Sequence, residues 1–343
     1  MSTTIVETSA DATAVFEDRM MKAALGWFDL MAAHLGSQLG WYAALSDSKG
    51  LTAGELAART HTDARYAREW LEQQAAAEFL LVQDGGDDLD TPGAASRGSA
   101  LDPAAATRRF RLAPGAAEVL LDRSSLSYLE PLARMGAAAG AQVDALLDAY
   151  RTGGGVSWEQ LGRHAREAQA DMNRPWFAQL PSVFAGIDRV HTALRRSGAR
   201  IADVGSGGGW SSIALAQAYP HLRVVGFDVD EASVEMARRN AVEAGVADRV
   251  QFLLCDAALV AEHGPFDAVF AFECLHDMPH PVEVLAGLAP PWATTVSSLS
   301  WTRRPRTGSR RTRATSNDCS TASASSSACP TGSRTGRAPA PAP

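Results

Sequence analysis

The stretch Ile201-Ala202-Asp203-Val204-Gly205-Ser206-Gly207-Gly208-Gly209 constrains the fold of this chain more than any other part of it. An apolar run ends in an acid and meets a glycine turn, and Trp210 to Tyr219 then continues with helical spacing as far as Pro220. Strand, sharp turn and helix N-terminus in succession belong to parallel α/β sheets. There the glycines let the backbone approach a ligand, and the first helical N–H groups point at it. Taken alone, the turn suits any nucleotide-like ligand; the spacing that follows narrows the choice.

Leu222 to Asp228 reads as a second buried strand, and its terminal acid lies about twenty residues past the turn, where a carboxylate accepts hydrogen bonds from ribose hydroxyls. Glu231 to Ala244 forms the next helix, closed by Gly245. Val250 to Cys255 is a third strand with Asp256 at its tip, and Phe266 to Phe272 a fourth that ends at Glu273. Asp203, Asp228, Asp256 and Glu273 are therefore expected along one rim of the sheet, a field that disfavours phosphates and favours a cationic, hydroxyl-rich ligand. A dinucleotide loop wants a small residue where this chain has Trp210, and no Walker lysine follows.

With these motifs in this order, residues of about 200–290 resemble the class I S-adenosylmethionine-dependent methyltransferases. Asp203 to Gly209 matches their first motif, Asp228 their ribose-binding acid, Asp256-Ala257 their adenine-side contact, and Phe272 to Asp277 the segment after their fourth strand. The resemblance implies a Rossmann-like sheet with S-adenosyl-L-methionine as cofactor. It implies cofactor contacts at Asp203, Gly205, Ser206, Gly207, Gly209, Asp228, Val229, Asp256, Ala257 and Glu273. His276-Asp277 resembles the catalytic His-Asp pair of plant-type O-methyltransferases, which implies His276 as general base toward a hydroxyl of a small-molecule substrate. The alternative role for His276 is a polar residue that contacts cofactor or caps the next helix. His280, before Pro281, reads as part of a helix start.

The preceding half is α-rich. Ala14 to Leu45 has apolar periodicity for one or two helices, and residues 1–12 read as a frayed terminus. Thr52 and Glu55 form a capping box, and Thr62-Asp63 starts another helix that reaches Phe79. Leu80-Leu81-Val82 and Arg109 to Leu112 are placed to pair as a ribbon around the Gly/Asp/Pro-rich stretch 84–103. This helix, turn, helix and ribbon resembles the winged-helix module that small-molecule O-methyltransferases use for homodimerisation and substrate covering. DNA binding is the other reading, but Arg65 and Arg68 share the second helix region with Asp63, Glu69, Glu72 and Glu78, which is no cationic reading head. Past Pro114, Leu120, Leu121, Leu126, Leu129, Leu132, Leu146 and Leu147 are expected core positions. Gly153-Gly154-Gly155 then opens a helical connector. Its Met172 to Phe177 stretch suits either a site entrance or helix packing between domains.

Composition bounds the rest. A chain of 343 residues suits two domains of roughly 100–200 residues each. No secretory pattern and no membrane-length apolar run is seen, so a cytoplasmic location with no membrane partner is expected. Four cysteines without CxxC or His-rich spacing predict neither a metal site nor a disulfide framework. Net charge is −7, but from Pro290 onward there are eight Arg against the single acid Asp318, so the remainder carries 24 basic and 38 acidic residues, or −14. An acidic body argues against a nucleic-acid partner.

The last 54 positions depart from the family pattern. Trp292, Val296, Leu299 and Trp301 are their only large apolar residues, too few to build the strands that should complete the sheet. Ser, Leu and Trp codons can begin with T. A frame that joins the third base of one codon to the first two of the next then turns Ser297-Ser298-Leu299-Ser300-Trp301 into five apolar codons, flanked by Gly- and acid-compatible ones. That is the pattern of the missing fifth strand, and it predicts a frameshift near residue 290 with weak or absent activity in this frame. A genuine basic tail for an acidic partner is the contrary reading.

The sequence is therefore expected to fold as an α/β protein: a Rossmann-like methyltransferase sheet, its C-terminal strands lost, preceded by an α-rich winged-helix domain. Expected divisions are 14–125 (winged helix), 126–197 (helical connector), 198–289 (cofactor domain) and 290–343 (disordered tail). The rival function is a non-catalytic, S-adenosylmethionine-binding winged-helix regulator or scaffold.

Overall fold

The computed structural model describes residues 9–83 and 107–288. The ribbon insert 84–103 and the tail from Pro290 therefore lie outside the described residues, as do the first eight.

The first described element is α1 (Ser9–Gln38), so helix starts earlier than a frayed terminus of twelve residues would allow. Gly40, at φ 71°, turns the backbone into α2 (Trp41–Ser46). The capping box of α3 (Ala53–Thr60) is present: Glu55 N donates to Thr52 Oγ1 at 3.2 Å and Thr52 N donates to Glu55 Oε2 at 2.9 Å. Asp63 caps α4 (Ala64–Ala76) by accepting from the Arg65 and Tyr66 amides. β1 (Leu80–Gln83) and β2 (Arg109–Leu112) pair antiparallel with Leu80 opposite Leu112, and Leu51 bridges to Phe110. Tyr42, Leu45, Leu56, Leu71 and Phe110 fill the core between these helices and the ribbon.

α5 (Ala116–Leu120), α6 (Glu130–Gly140), α7 (Val143–Thr152) and α8 (Trp158–Phe177) follow. The expected core is corrected here. Leu120 is buried, but Leu126, Leu129, Leu132, Leu146 and Leu147 are exposed, as are Val15, Phe16, Met20, Leu25 and Phe28 of α1. α1 meets α6 through Trp27 and Met31, which lie against the backbone at Gly136 and Gly140. The rest of that apolar surface has no cover among the described residues. Periodicity identifies residues that share a helix face; it does not identify what covers the face.

α9 (Leu180–Ala185) and α10 (Asp188–Arg195) lead into a parallel sheet of β3 (Arg200–Val204), β4 (Arg223–Asp228), β5 (Val250–Leu254) and β6 (Ala268–Ala271), in the order β5-β4-β3-β6. α11 (Trp210–Ala218) and α12 (Glu231–Glu243) make the crossovers, and α13 (Pro281–Leu288) follows β6. Val204 pairs with Phe227 on one side and Ala271 on the other. Both faces are covered. Ile201, Ile213, Val224, Phe252 and Phe270 pack on one face, while Ala202, Val225, Phe227 and Val260 pack on the other. The strand order reverses beside β3, because successive strands step outward to β5 before the chain returns to β6. Such a switch point leaves a crevice at the carboxyl ends of the strands.

Candidate active site

That crevice is a cavity of about 420 Å³, walled by the glycine turn, the ends of β4 and β6, the segment after β5 and, from before the sheet, α8. The turn is tied to β4: Gly205 N and Ser206 N both donate to the Phe227 carbonyl, at 2.8 and 3.0 Å. Its glycines do different work. A Cβ on Gly205 would lie 2.6 Å from Cys274 Cβ, one on Gly208 2.7 Å from Ala170 Cβ, and one on Gly209 2.6 Å from Phe252 Cζ. Those three make room for protein. Gly207, at φ 50°, has nothing within 4 Å of its Cβ position and lines the cavity, so it leaves room for a ligand.

Ser206 also lines the cavity, and its buried Oγ has no partner, so a bound molecule with a polar group is what would complete it. Asp228 accepts from Gly207 N through Oδ2 at 2.8 Å and from Asp230 N through Oδ1 at 3.0 Å. Burial pushes its carboxyl above the usual range. Val229 lies alongside. Asp256 accepts from Ala258 N at 2.8 Å, which caps the 3-10 turn Ala257–His263 and presents Ala257 to the cavity.

Two of the predicted contacts do not reach the cavity. Asp203 was expected on the rim; it lies beneath the turn, accepting 2.6 Å bonds from both Ser211 and Ser212 hydroxyls on α11, with burial pushing its pKa up to about 6. Strand alternation is the cause. Asp203 shares the α11-facing side of β3 with Ile201, while Ala202 and Val204 face the other way. Gly209 packs on Phe252 instead of lining the cavity.

Glu273, Cys274, His276 and Asp277 form the opposite rim. Glu273 holds a left-handed φ of 53°, strained for a side chain of its size, and burial raises its carboxyl pKa. Cys274 Sγ donates to the Val204 carbonyl at 3.1 Å, and burial pushes this thiol up to about 12. His276 Nε2 lies 3.4 Å from Asp277 Oδ1, with the imidazole 65 % exposed. His280 precedes α13, and its carbonyl accepts from Val284 N.

α8 supplies the wall that motif reading missed: Trp158, Arg166, Gln169, Asn173 and Phe177. Arg166 forms a bidentate pair with Asp230 at 2.5 and 2.8 Å, and Asp230 also caps α12. Ala170 sits on the Gly208 backbone. The stretch 172–177 serves both of its expected purposes: Asn173 and Phe177 line the cavity, while Arg174 stacks over the Trp210 ring at 4.0 Å. The available signal for this helix was the Ser157-x-x-Gln160 capping box; nothing local announced the Arg166–Asp230 pairing.

Known proteins resemble this arrangement. The sequence profile of the family described as "Methyltransferase domain" matches residues 195–319. The ubiquinone biosynthesis O-methyltransferase of Ralstonia nicotianae is 31 % identical over 103 residues, 30 % of this chain and 42 % of that protein. The 27-O-demethylrifamycin SV methyltransferase of Amycolatopsis mediterranei is 41 % identical over 85 residues, 24 % of this chain and 31 % of that protein. The chain thus spans less than half the length of these curated relatives. Over longer stretches the likeness is one of fold. The mitomycin 7-O-methyltransferase structure superposes with a TM-score of 0.57 at 23 % identity, covering 87 % of this chain and 84 % of its own. Human N-acetylserotonin methyltransferase, solved with S-adenosylmethionine, gives 0.50 at 18 % identity, covering 85 % and 80 %. A helix-rich leader followed by a Rossmann-like parallel sheet is the fold of these O-methyltransferases, and it is the fold of this chain.

Proposed function

We propose that this chain is an S-adenosylmethionine-dependent methyltransferase acting on a hydroxyl of a small molecule. The observation that carries the reading is the single cavity that runs from Gly207, Ser206 and Asp228 to His276. Its donor set fits the cofactor. Gly207 leaves open space, Ser206 Oγ awaits a partner, and carboxylates at Asp228, Asp256 and Glu273 suit a cationic ligand with ribose hydroxyls. When bound, S-adenosylmethionine supplies a methyl group on a positively charged sulfur, which keeps the electron pair of the broken bond.

The chain's residues would bind, orient and deprotonate. Asp228 holds ribose hydroxyls, with its position fixed by Gly207 N and Asp230 N. Val229, Asp256 and Ala257 bound the adenine side, and α8 closes the cavity through Arg166 and Ala170. Asp203 and Gly209 act from behind, holding the turn. His276 takes the acceptor's proton. With Nε2 turned to Asp277, Nδ1 is the nitrogen left to receive it. Holding acceptor and methyl carbon in line is the remaining task.

The same reading keeps the divisions 14–125, 126–197 and 198–289, and a cytoplasmic homodimer formed through the exposed apolar faces of α1 and α7. It also keeps the frameshift near residue 290. In its support, the outer edge of β6 has no partner among the described residues, while codons 297–301, where they begin with T, read in the shifted frame as an apolar strand. Sequencing the coding DNA across codons 285–343 decides that point; a shifted frame with no apolar strand ends it.

Calorimetric titration of the full chain with S-adenosylhomocysteine, with a methyl-transfer screen of phenols on a frame-restored protein, tests the function. Saturable binding that Asp228→Ala abolishes, with turnover that His276→Ala removes, is expected. Absence of binding in both proteins refutes the reading, and binding without turnover refutes its catalytic half.

A further inference from the structure

Asp228 does not stand alone at the end of β4. Asp230 follows two residues on, and its amide donates to Asp228 Oδ1 at 3.0 Å, so the two carboxylates are joined through one backbone bond. Burial is the main cause that raises the Asp228 carboxyl, and the charge on Asp230 adds to it. One cation stands against that charge. Arg166 is the only Lys or Arg among the described residues lining the cavity, and its bidentate bond to Asp230 is largely withdrawn from water, with the two side chains 12 % and 11 % exposed. A helix start does not require such a partner. Asp63 caps α4 much as Asp230 caps α12, with no ion pair among the described residues.

We infer that Arg166 is a positioning residue of the cofactor site: by clasping and neutralising Asp230, it lets Asp228 meet the ribose as a carboxylate. The inference rests on the methyltransferase reading and deepens it. Each Asp228 oxygen gives one lone pair to a backbone N–H, from Gly207 or Asp230, and keeps another, so the carboxylate can accept from two vicinal hydroxyls. A protonated acid would turn one of those acceptors into a donor. Without Arg166, Asp230 would be an unpaired and poorly solvated charge, and its field would favour a proton on Asp228. The groups that face Asp228 are Asp203 from β3, Asp230 on its own loop and the Cys274 thiol beyond β6, with Arg166 acting from α8 through Asp230.

Calorimetric titration of the full chain and its variants with S-adenosylhomocysteine, from about pH 4.5 to about pH 9, tests this, with urea unfolding to confirm that each variant folds. Wild-type affinity should fall on the acid side as Asp228 takes up a proton. Arg166→Gln should weaken binding at least about tenfold at neutral pH and move that acid limb upward by about one pH unit, so that raising the pH recovers much of the loss. Arg166→Gln/Asp230→Asn removes both charges and keeps a capping side chain; it should return the limb and bring affinity to within about threefold of wild type. Asp230→Asn alone keeps Arg166 and should move the limb downward, which carries the test where Arg166→Gln does not fold. A merely structural Arg166 predicts a loss that is equal at every pH and no smaller in the double variant. That result, a limb unmoved in Asp230→Asn, or Arg166→Gln binding within about twofold of wild type at neutral pH overturns the inference and leaves the cofactor reading intact. Wild-type protein that binds no S-adenosylhomocysteine at any pH defeats the cofactor reading and this inference together.

Discussion

The sheet and the N-terminal helices treat their apolar residues in opposite ways. Every large side chain of β3 and β4 that points into the fold is covered: Ile201, Val224 and Phe227 are buried with helices or turns on both faces. α1 and α7 also carry large apolar residues, yet Phe28 is 63 % exposed and Leu146 47 % exposed. The difference is one of closure. A parallel sheet finishes its core within one chain because each crossover returns a helix to it, whereas a helix pair such as α1 and α6 covers one stripe of each member and leaves the rest open.

The comparison breaks most readily at the glycine turn. Gly209→Val combines a φ of 80° with a Cβ 2.6 Å from Phe252 Cζ, and a loss of about 4 kcal/mol or more is expected in urea unfolding. Wild-type stability would mean that the turn is not packed as described. Leu215→Ala, in a fully buried position of α11, should cost about 3 kcal/mol by the same measurement.

Asp203 sharpens the comparison through pH. Its folded pKa of about 6 lies above the ordinary carboxylate value of 3.8, so the folded state favours the protonated acid. That contribution is fully present below pH 3.8 and is lost as pH rises through 6, an effect of up to about 3 kcal/mol. Asp203→Asn should flatten the pH dependence of urea midpoints over that window; an undiminished slope assigns the titration elsewhere.

Gly207→Ala, which meets no neighbour but keeps a φ of 50°, should cost about 1–2 kcal/mol while weakening S-adenosylhomocysteine binding measured by calorimetry. Smallest in stability is Phe28→Glu/Leu146→Glu, expected within about 0.5 kcal/mol per site. Sedimentation should nonetheless find the variant monomeric where the unaltered chain forms the proposed homodimer, since both residues lie on the uncovered faces. A stability loss as large as that of Leu215→Ala would show that those faces are covered within the chain.

The same contrast separates what could be read from the sequence. β3, β4 and β5 were legible because each is a short apolar run with an acid at or just beyond its end, and the capping box at Thr52 and the N-cap at Asp63 marked their helices without tertiary knowledge. Asp203 was misplaced because an acid at a strand end can face either side of the sheet, and only the partner hydroxyls on α11 decide which. Leu126 through Leu147 were misassigned to the core because an apolar stripe carries no label for the surface that meets it. Arg166 was missed because its partner Asp230 lies 64 residues further on, a separation no local motif spans.

Ala170 resting on Gly208, with Arg166 clasping Asp230, also limits how this fold can be subdivided. A cut made just ahead of β3 would keep every glycine and every strand-end acid, yet it would remove one side of the pocket and leave the backbone at Gly208 bare to water. The ligand site is not portable with the sheet: any chimera or minimised version must carry Trp158–Phe177 along with it.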